Sequence, residues 1–322
     1  MTAAAEKDPK NLDLWLQLAE AAAASGELGK AGNAVSRASA LAPDDPRALR
    51  LAAGLALVNA EPTKAVLLLD KLGDNTLARD PKLARWYVAA LIDGSLTHKL
   101  PAFLKSVEEV SVQANQPAPI GYALRGINDS TRFDYQASKA AIAIVDRLLI
   151  RWPDQLDLLM AQTMAHYRIA QNSVPMWELG ATKDAIRALM RLRDKVPDNP
   201  DIAASIAWIR LKGEKRANLA LIDARALADL RKNELPLSAW QMQVLGWVYY
   251  ANDRNADAIS VLEKARDSGA RSAGVLIALA LAYNKEKRWD DAKATIQMAQ
   301  AQSDRNAQEQ ADYKEAVLIV PP

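Results

Sequence analysis

The sequence contains no cysteine and only two histidines in 322 residues. A chain without cysteine forms no disulfide, carries no thiolate nucleophile and offers no cysteine-ligated metal site. His98 and His166 lie far apart in sequence, and no serine, cysteine or carboxylate falls within one helical turn of His166 to complete a catalytic relay. We therefore predict that the protein is not an enzyme and uses neither a metal ion nor a cofactor.

A dominant charge and long apolar runs are also missing. The 41 lysines and arginines nearly balance 39 aspartates and glutamates, and no apolar run reaches the about 18 residues that a membrane helix needs. Basic residues between Arg187 and Arg216 are interrupted by carboxylates such as Asp194 and Glu214, which is typical of a mixed-charge surface rather than a phosphate track. With 50% hydrophobic residues, the chain is predicted to fold, without direct membrane insertion and without binding nucleic acid.

Apolar and small residues recur in a unit of about 34 residues. In the first unit they occupy positions 4, 7, 8, 11, 20, 24, 27 and 32, which are Trp15, Leu18, Ala19, Ala22, Ala31, Val35, Ala38 and Pro43. The first four residues form one stripe of a helix A, and the next three form one stripe of a helix B. Small residues at positions 8 and 20 let the two helices approach closely, and the proline ends helix B. Each unit is thus predicted to be a helical hairpin.

The residue at position 20 marks eight such hairpins along the chain. It is Ala31, Ala65, Leu100, Ala141, Ala185, Leu219, Ala258 and Ala292 in turn. We interpret 1–322 as one solenoid with N-terminal repeats over 11–110, degenerate repeats with insertions over 111–197, C-terminal repeats over 198–302, and a capping helix and tail over 303–322.

This pattern resembles the tetratricopeptide repeat (TPR) family. The resemblance implies an all-α fold, a right-handed superhelical solenoid of about eight hairpins with a capping helix, whose helix A residues line a concave groove that holds peptides or partner proteins. Residues 198–300, with DIAASIAWI at 201–209 followed by WQMQVLGWVYY and AISVLEKA, resemble the terminal units of bacterial TPR proteins, including those linked to exopolysaccharide secretion.

Positions 2, 5, 9 and 12 of each helix A fall on the face opposite helix B and so predict the groove lining. In the last three units these positions include Trp208, Trp240, Gln243, Trp247, Tyr250, Ile277 and Leu281. Because Trp and Tyr dominate binding hot spots, an exposed aromatic strip would mark a partner site. The alternative is that position 9 packs between neighbouring A helices. Trp177, in an insertion, is a second candidate contact, whereas Trp15, Trp86, Trp152 and Trp289 are expected to pack structurally.

Two functional classes stay open at this point. The first is a scaffold or adaptor that binds a protein or peptide in the groove, within a bacterial envelope or secretion assembly. The second is a structural module that self-associates into a homo-oligomer or packs on an adjoining domain. Extending the repeat frame back by 34 residues places Ala4 and Pro9 at matching positions, which favours a fragment of a longer protein, although Asp8-Pro9 is also a natural helix start.

Overall fold

Every regular element that the structure describes is helical. The computed structural model describes residues 2–173, 177–233, 235–269, 272–303 and 305–320, and within these ranges there are twenty α-helices and no strand. The all-α prediction is therefore confirmed. Two compact units divide the chain: unit 1 is Met1–Ala165 and unit 2 is His166–Pro322.

Unit 1 holds the first ten helices and most of the eleventh. They are α1 Thr2–Lys7, α2 Leu12–Ala24, α3 Leu28–Leu41, α4 Pro46–Val58, α5 Pro62–Asp70, α6 Asp74–Arg79, α7 Pro81–Asp93, α8 Leu100–Ala114, α9 Ala118–Asp129, α10 Tyr135–Arg151 and α11 Leu156–Asn172, with a 3-10 turn at Thr97–Lys99.

Unit 2 begins within α11 and holds the other helices. They are α12 Leu179–Lys195, α13 Pro200–Trp208, α14 Ala217–Asp223, α15 Arg225–Lys232, α16 Ala239–Ala251, α17 Asn255–Asp267, α18 Ala273–Lys285, α19 Trp289–Gln300 and α20 Ala307–Ile319, with a π-helical turn at Ile209–Gly213 that continues α13.

The first hairpin shows why the repeat residues fold this way. Asn11 caps α2 by accepting a hydrogen bond from the backbone N–H of Leu14, which satisfies an N–H that the first helical turn leaves free. Ala19 of α2 and Ala31 of α3 are buried at 1% and 0% exposure. Trp15 lies in the same core, and its indole N–H donates to the Pro9 carbonyl oxygen at 3.0 Å. The predicted packing stripe of this hairpin is thus its core.

Unit 1 departs from the regular pattern around its third hairpin. The short helix α6 precedes α7, and α7 packs mainly on α9 rather than on α8. The two helices approach at Gly126, where a Cβ atom would lie 2.3 Å from the carbonyl oxygen of Arg85. Only a residue without a side chain fits this approach. Arg85 also forms an ion pair with Asp129 at the end of α9.

The repeat frame of the sixth hairpin shifts by one residue. Leu219, predicted at position 20, is partly exposed, whereas Ala220 is fully buried. Helix α14 ends at Asp223 and is followed directly by α15. In the insertion after α11, Trp177 is described, and Pro175 lies outside the described residues. Among the described residues, no helix combines the length and apolarity of a membrane span.

Candidate functional site

The predicted groove residues of unit 2 share one face of α13, α16 and α18, which we term the A-helix face. Gln243, Trp247, Ile277 and Leu281 are at most 8% exposed, as is Trp208, and only Trp240 and Tyr250 are partly exposed. Of the two alternatives left open by the sequence, an exposed strip or packing between helices, the burial of these five residues fits packing. Their role in binding a partner stays a prediction.

Aromatic side chains cluster on this face as the repeat spacing predicted. The rings of Trp208 and Trp240 meet edge to face with centroids 5.2 Å apart, and those of Trp247 and Tyr250 meet similarly at 6.1 Å. The indole N–H of Trp247 donates to the carbonyl oxygen of Gly274 in α18 at 3.0 Å. The Trp208–Trp240 contact and the Trp247–Gly274 hydrogen bond tie neighbouring A helices together, so the aromatic residues hold the face in shape as well as forming its surface.

A buried lysine lies between the two predicted position-9 tryptophans. The ammonium nitrogen of Lys212 is 3.2 Å from the Trp247 ring centroid and 5.3 Å from that of Trp208. Lys212 as a whole is only 6% exposed. Such cation–π contacts are strongest where water is excluded. Sequence reasoning missed Lys212, although its spacing of four residues from Trp208 places both on one helical face.

The charge of Lys212 is matched by Asp312 of α20. Their side chains form an ion pair of 2.9 Å, with 7% and 8% of the two side chains exposed. Burial lowers the pKa of Lys212 to about 8, because desolvation disfavours the ammonium, and the neighbouring Asp312 only partly opposes this shift. The carboxylate therefore does not fully compensate for the loss of hydration.

Helix α20 covers the A-helix face through further polar contacts. The Gln308 side-chain oxygen accepts the indole N–H of Trp177 at 2.7 Å, and its amide nitrogen donates to Asp312 at 2.7 Å. A Glu309 carboxylate oxygen accepts the Gly274 backbone N–H at 2.9 Å. We predicted a capping helix over 303–322; the structure has a helix there and seats it on the predicted groove lining.

Trp177 lies inside this arrangement rather than on an open loop. It is 5% exposed, and its ring lies so close to Gly213 that a Cβ atom there would be 2.9 Å away. Its backbone is left-handed, with φ of 38°, a conformation that persists in a bulky residue only where packing holds it. The described contacts of Trp177 lie within unit 2, and its role as a partner contact stays a prediction.

Helix α20 fills the A-helix face incompletely. A cavity of about 180 Å³ lies among Trp177, Trp208 and Trp240 on one side and Gln308 and Glu309 on the other. Within α20 only Asp312 and Ala316 are buried, followed by Val320 just beyond the helix. The apolar side chains at 317–319 are 43–88% exposed. Few apolar side chains thus attach α20 to its neighbours.

Several arginines of the basic segment of unit 2 are paired with carboxylates. Arg187 pairs with Asp184 at 3.2 Å, and Arg210 pairs with Glu214 at 2.5 Å. Arg193 and Arg210 both approach Asp223, each at 3.4 Å. Ion-paired guanidinium groups leave little positive field for a phosphate backbone. Among the described residues, no cluster of three or more histidine or carboxylate side chains could hold a metal ion.

Comparisons with known proteins agree with the repeat pattern. The family model described as "Tetratricopeptide repeat" matches residues 1–55. A tetratricopeptide repeat protein from Parabacteroides merdae is similar over 84% of this chain and 98% of that chain, with 12% identity and a TM-score of 0.53. Yeast Tom70 is similar over 96% of this chain and 88% of that chain, with 12% identity and a TM-score of 0.39.

A human IFIT1 dimer with PPP-AAAA is similar over 85% of this chain and 60% of that chain, with 14% identity and a TM-score of 0.46. No curated protein is significantly similar to this chain in sequence. At such low identities the likeness concerns the fold alone. The helical hairpins, the family match and the Parabacteroides merdae structure point to one conclusion: this chain has the fold of tetratricopeptide repeat proteins, and its residues 1–55 match the tetratricopeptide repeat family model.

Proposed function

We propose that this protein is a non-catalytic scaffold that binds a partner protein or peptide on the A-helix face of unit 2. The observation that carries the proposal is the concentration of tryptophans on that face, around a buried cation and beneath a weakly attached helix. Trp rings surrounding a desolvated polar group are typical of binding hot spots. The tetratricopeptide repeat fold is consistent with a protein–protein interaction role.

The proposal favours a protein partner over nucleic acid, because the arginines of unit 2 described above are already paired with carboxylates. A setting in a bacterial envelope or secretion assembly is supported only by the resemblance of residues 198–300 to such proteins. Affinity capture from bacterial envelope extract, compared with capture from the soluble fraction, tests this setting.

The test uses side chains that are accessible while α20 is seated. Trp240 and Tyr250 are the partly exposed members of the predicted set, so replacing both with alanine removes accessible contact area together with their ring contacts to Trp208 and Trp247. Trp289→Ala is the matched control, since Trp289 lies on helix α19 and is 58% exposed. Each tagged chain is used to capture proteins from bacterial lysate, after circular dichroism has verified folding.

A protein captured by the parent and by Trp289→Ala, but lost in Trp240→Ala/Tyr250→Ala, would support the proposal. Capture of the same proteins by all three chains would contradict binding on this face. The structural alternative, self-association, predicts a different result: the parent would capture chiefly a differently tagged copy of itself, and the double variant would retain that copy.

A further inference from the structure

The contacts of α20 define what kind of segment the A-helix face accepts. The residues of α20 that face the rest of unit 2 recur every four residues as Gln308, Asp312 and Ala316, and Val320 follows four residues later, just beyond the helix. Residues four apart share one face of a helix. An amide that accepts the Trp177 indole N–H, a carboxylate that pairs with Lys212, a small residue and an apolar residue follow one another along that face.

We infer that α20 is an intramolecular occupant of the A-helix face, and that the partner is a helix presenting a carboxylate to Lys212 in the same place. This inference rests on the proposed function and specifies its partner chemistry. Binding of such a partner requires that α20 leave, so the protein regulates access to its own site. An amphipathic helix lying in a groove is a common mode of peptide recognition.

The attachment of α20 is of a kind that a competitor could replace. Neighbouring α18 buries Leu276, Leu279 and nine further residues, whereas α20 buries two. The hydrogen bonds and the ion pair that α20 makes with its neighbours contribute little net stability, because each group loses hydration on docking. A competing helix that keeps the carboxylate and adds apolar contact would bind the face more tightly than α20 does.

The cavity beside Gln308 shows where a partner would gain that contact. Its volume of about 180 Å³ lies against the rings of Trp177, Trp208 and Trp240. A larger side chain at the Gln308 position of a partner would fill this space, which α20 leaves empty. The advantage of α20 is its covalent link to α19, which gives it an effective concentration on the order of millimolar.

The experiment separates α20 from the face without changing the chain elsewhere. A site-specific protease sequence is inserted after Ser303, between α19 and α20, the purified full chain is cleaved, and the released segment is removed by gel filtration. The probe is a fluorescein-labelled synthetic peptide of residues 305–320, titrated with cut or uncut protein while its fluorescence anisotropy is measured. Circular dichroism checks that the cut protein keeps its helices.

The cut protein should bind the probe at least about tenfold more tightly than the uncut protein. Asp312→Asn in the peptide should weaken binding by about tenfold or more, because the Lys212 charge is left unpaired. Lys314→Gln is the matched control, since Lys314 is exposed on the same helix, and it should change the affinity by less than about threefold. Lys212→Met in the cut protein should abolish the preference for aspartate over asparagine.

Three outcomes would overturn the inference. If cleavage unfolds unit 2, or if α20 stays bound through gel filtration under mildly denaturing conditions, α20 is an integral helix of the fold. Equal binding of the aspartate and asparagine peptides would exclude recognition through Lys212. None of these results decides the proposed function, which the capture experiment with Trp240→Ala/Tyr250→Ala tests separately. A partner could bind the partly exposed edge of the face while α20 stays in place.

Discussion

Lys212 is a charged residue whose surroundings exclude most water. Two indole rings and Asp312 surround its ammonium group, and only 7% of its side chain is exposed. Cation–π attraction and the ion pair favour the charged form, whereas loss of hydration disfavours it. The net result is a pKa lowered from 10.5 to about 8. Protonation of this residue is therefore coupled to folding of unit 2.

The first prediction concerns the pH dependence of stability. Between about pH 8 and 10.5 the unfolded chain holds the Lys212 proton more tightly than the folded protein, so the free energy of unfolding rises with pH across this window. This increase in the free energy of unfolding is complete above pH 10.5 and is lost as the pH falls through about 8. It amounts to about 3 kcal/mol. Urea unfolding at a series of pH values measures it.

The double variant Lys212→Met/Asp312→Asn removes both charges and should lose this rise with pH, whereas Lys314→Met, at an exposed lysine of α20, should keep it. An unchanged slope in the double variant would show that Lys212 is hydrated in solution.

The second prediction separates tryptophans by burial. Trp208 is 5% exposed and Trp289 is 58% exposed. Trp208→Ala should lower the free energy of unfolding by about 3–5 kcal/mol, since it empties a packed site. Trp289→Ala should change it by less than about 0.5 kcal/mol. Thermal unfolding of the two variants compares them, and a similar loss in both would mean that Trp289 packs as the sequence had predicted.

Burial of the aromatic residues was only partly predictable from their repeat positions. Trp15 lies on the consensus packing stripe and is 9% exposed. Trp289 begins α19, and helix position alone does not reveal that the residue is 58% exposed. Trp208 and Trp247 were equally compatible with packing or exposure, because what covers them is α20, about 60 to 100 residues farther along the chain.

At the scale of elements, close helix approach depends on single glycines. Gly126 lets α9 pack on α7, where a Cβ atom would meet the Arg85 carbonyl oxygen at 2.3 Å. A backbone atom cannot move aside as a side chain can, so the two helices would have to separate. The repeat spacing does not predict this contact, since the repeat is degenerate there and α7 packs on α9 rather than on α8.

The third prediction tests this approach. Gly126→Ala should lower the midpoint of urea unfolding, with a loss of about 1–3 kcal/mol from overpacking. Gly32→Ala is the matched control, because Gly32 lies inside α3 with no atom within 4 Å of its added Cβ. That change should raise stability by about 0.5–1 kcal/mol through helix propensity. A neutral effect at Gly126 would mean that α7 and α9 separate without cost.

Helix boundaries followed the sequence where cap and repeat signals coincide. Asp45 and Pro46 begin α4, and Asp80 and Pro81 begin α7, because each aspartate accepts backbone N–H bonds and each proline fits the first helical position. The sixth hairpin lacks such a signal before its helix B. A π-helical turn inserts an extra residue at Ile209–Gly213, which explains why Ala220 rather than Leu219 takes the small-residue position.

At the scale of the whole molecule, the repeat period predicted the fold but not that α20 covers the A-helix face. The period specifies contacts between residues about 34 apart, such as those within and between neighbouring hairpins. The ion pair between Lys212 and Asp312 and the bond between Trp177 and Gln308 join residues 100 and 131 positions apart. No periodic signal encodes such pairs, so the sequence identified the A-helix face and left its occupant unidentified.

The last prediction concerns stoichiometry. The large apolar side chains exposed in unit 1 and unit 2 are mostly isolated, and Val317, Leu318 and Ile319 form the one consecutive run among the described residues. Isolated exposed residues do not drive association, and stable dimers bury larger patches. We expect sedimentation equilibrium at about 10 µM to give the monomer mass of 35.1 kDa, as a groove-binding scaffold requires. A dimer that Leu318→Glu dissociates would instead assign self-association to this run, whereas a dimer that persists would favour a structural module built on another surface.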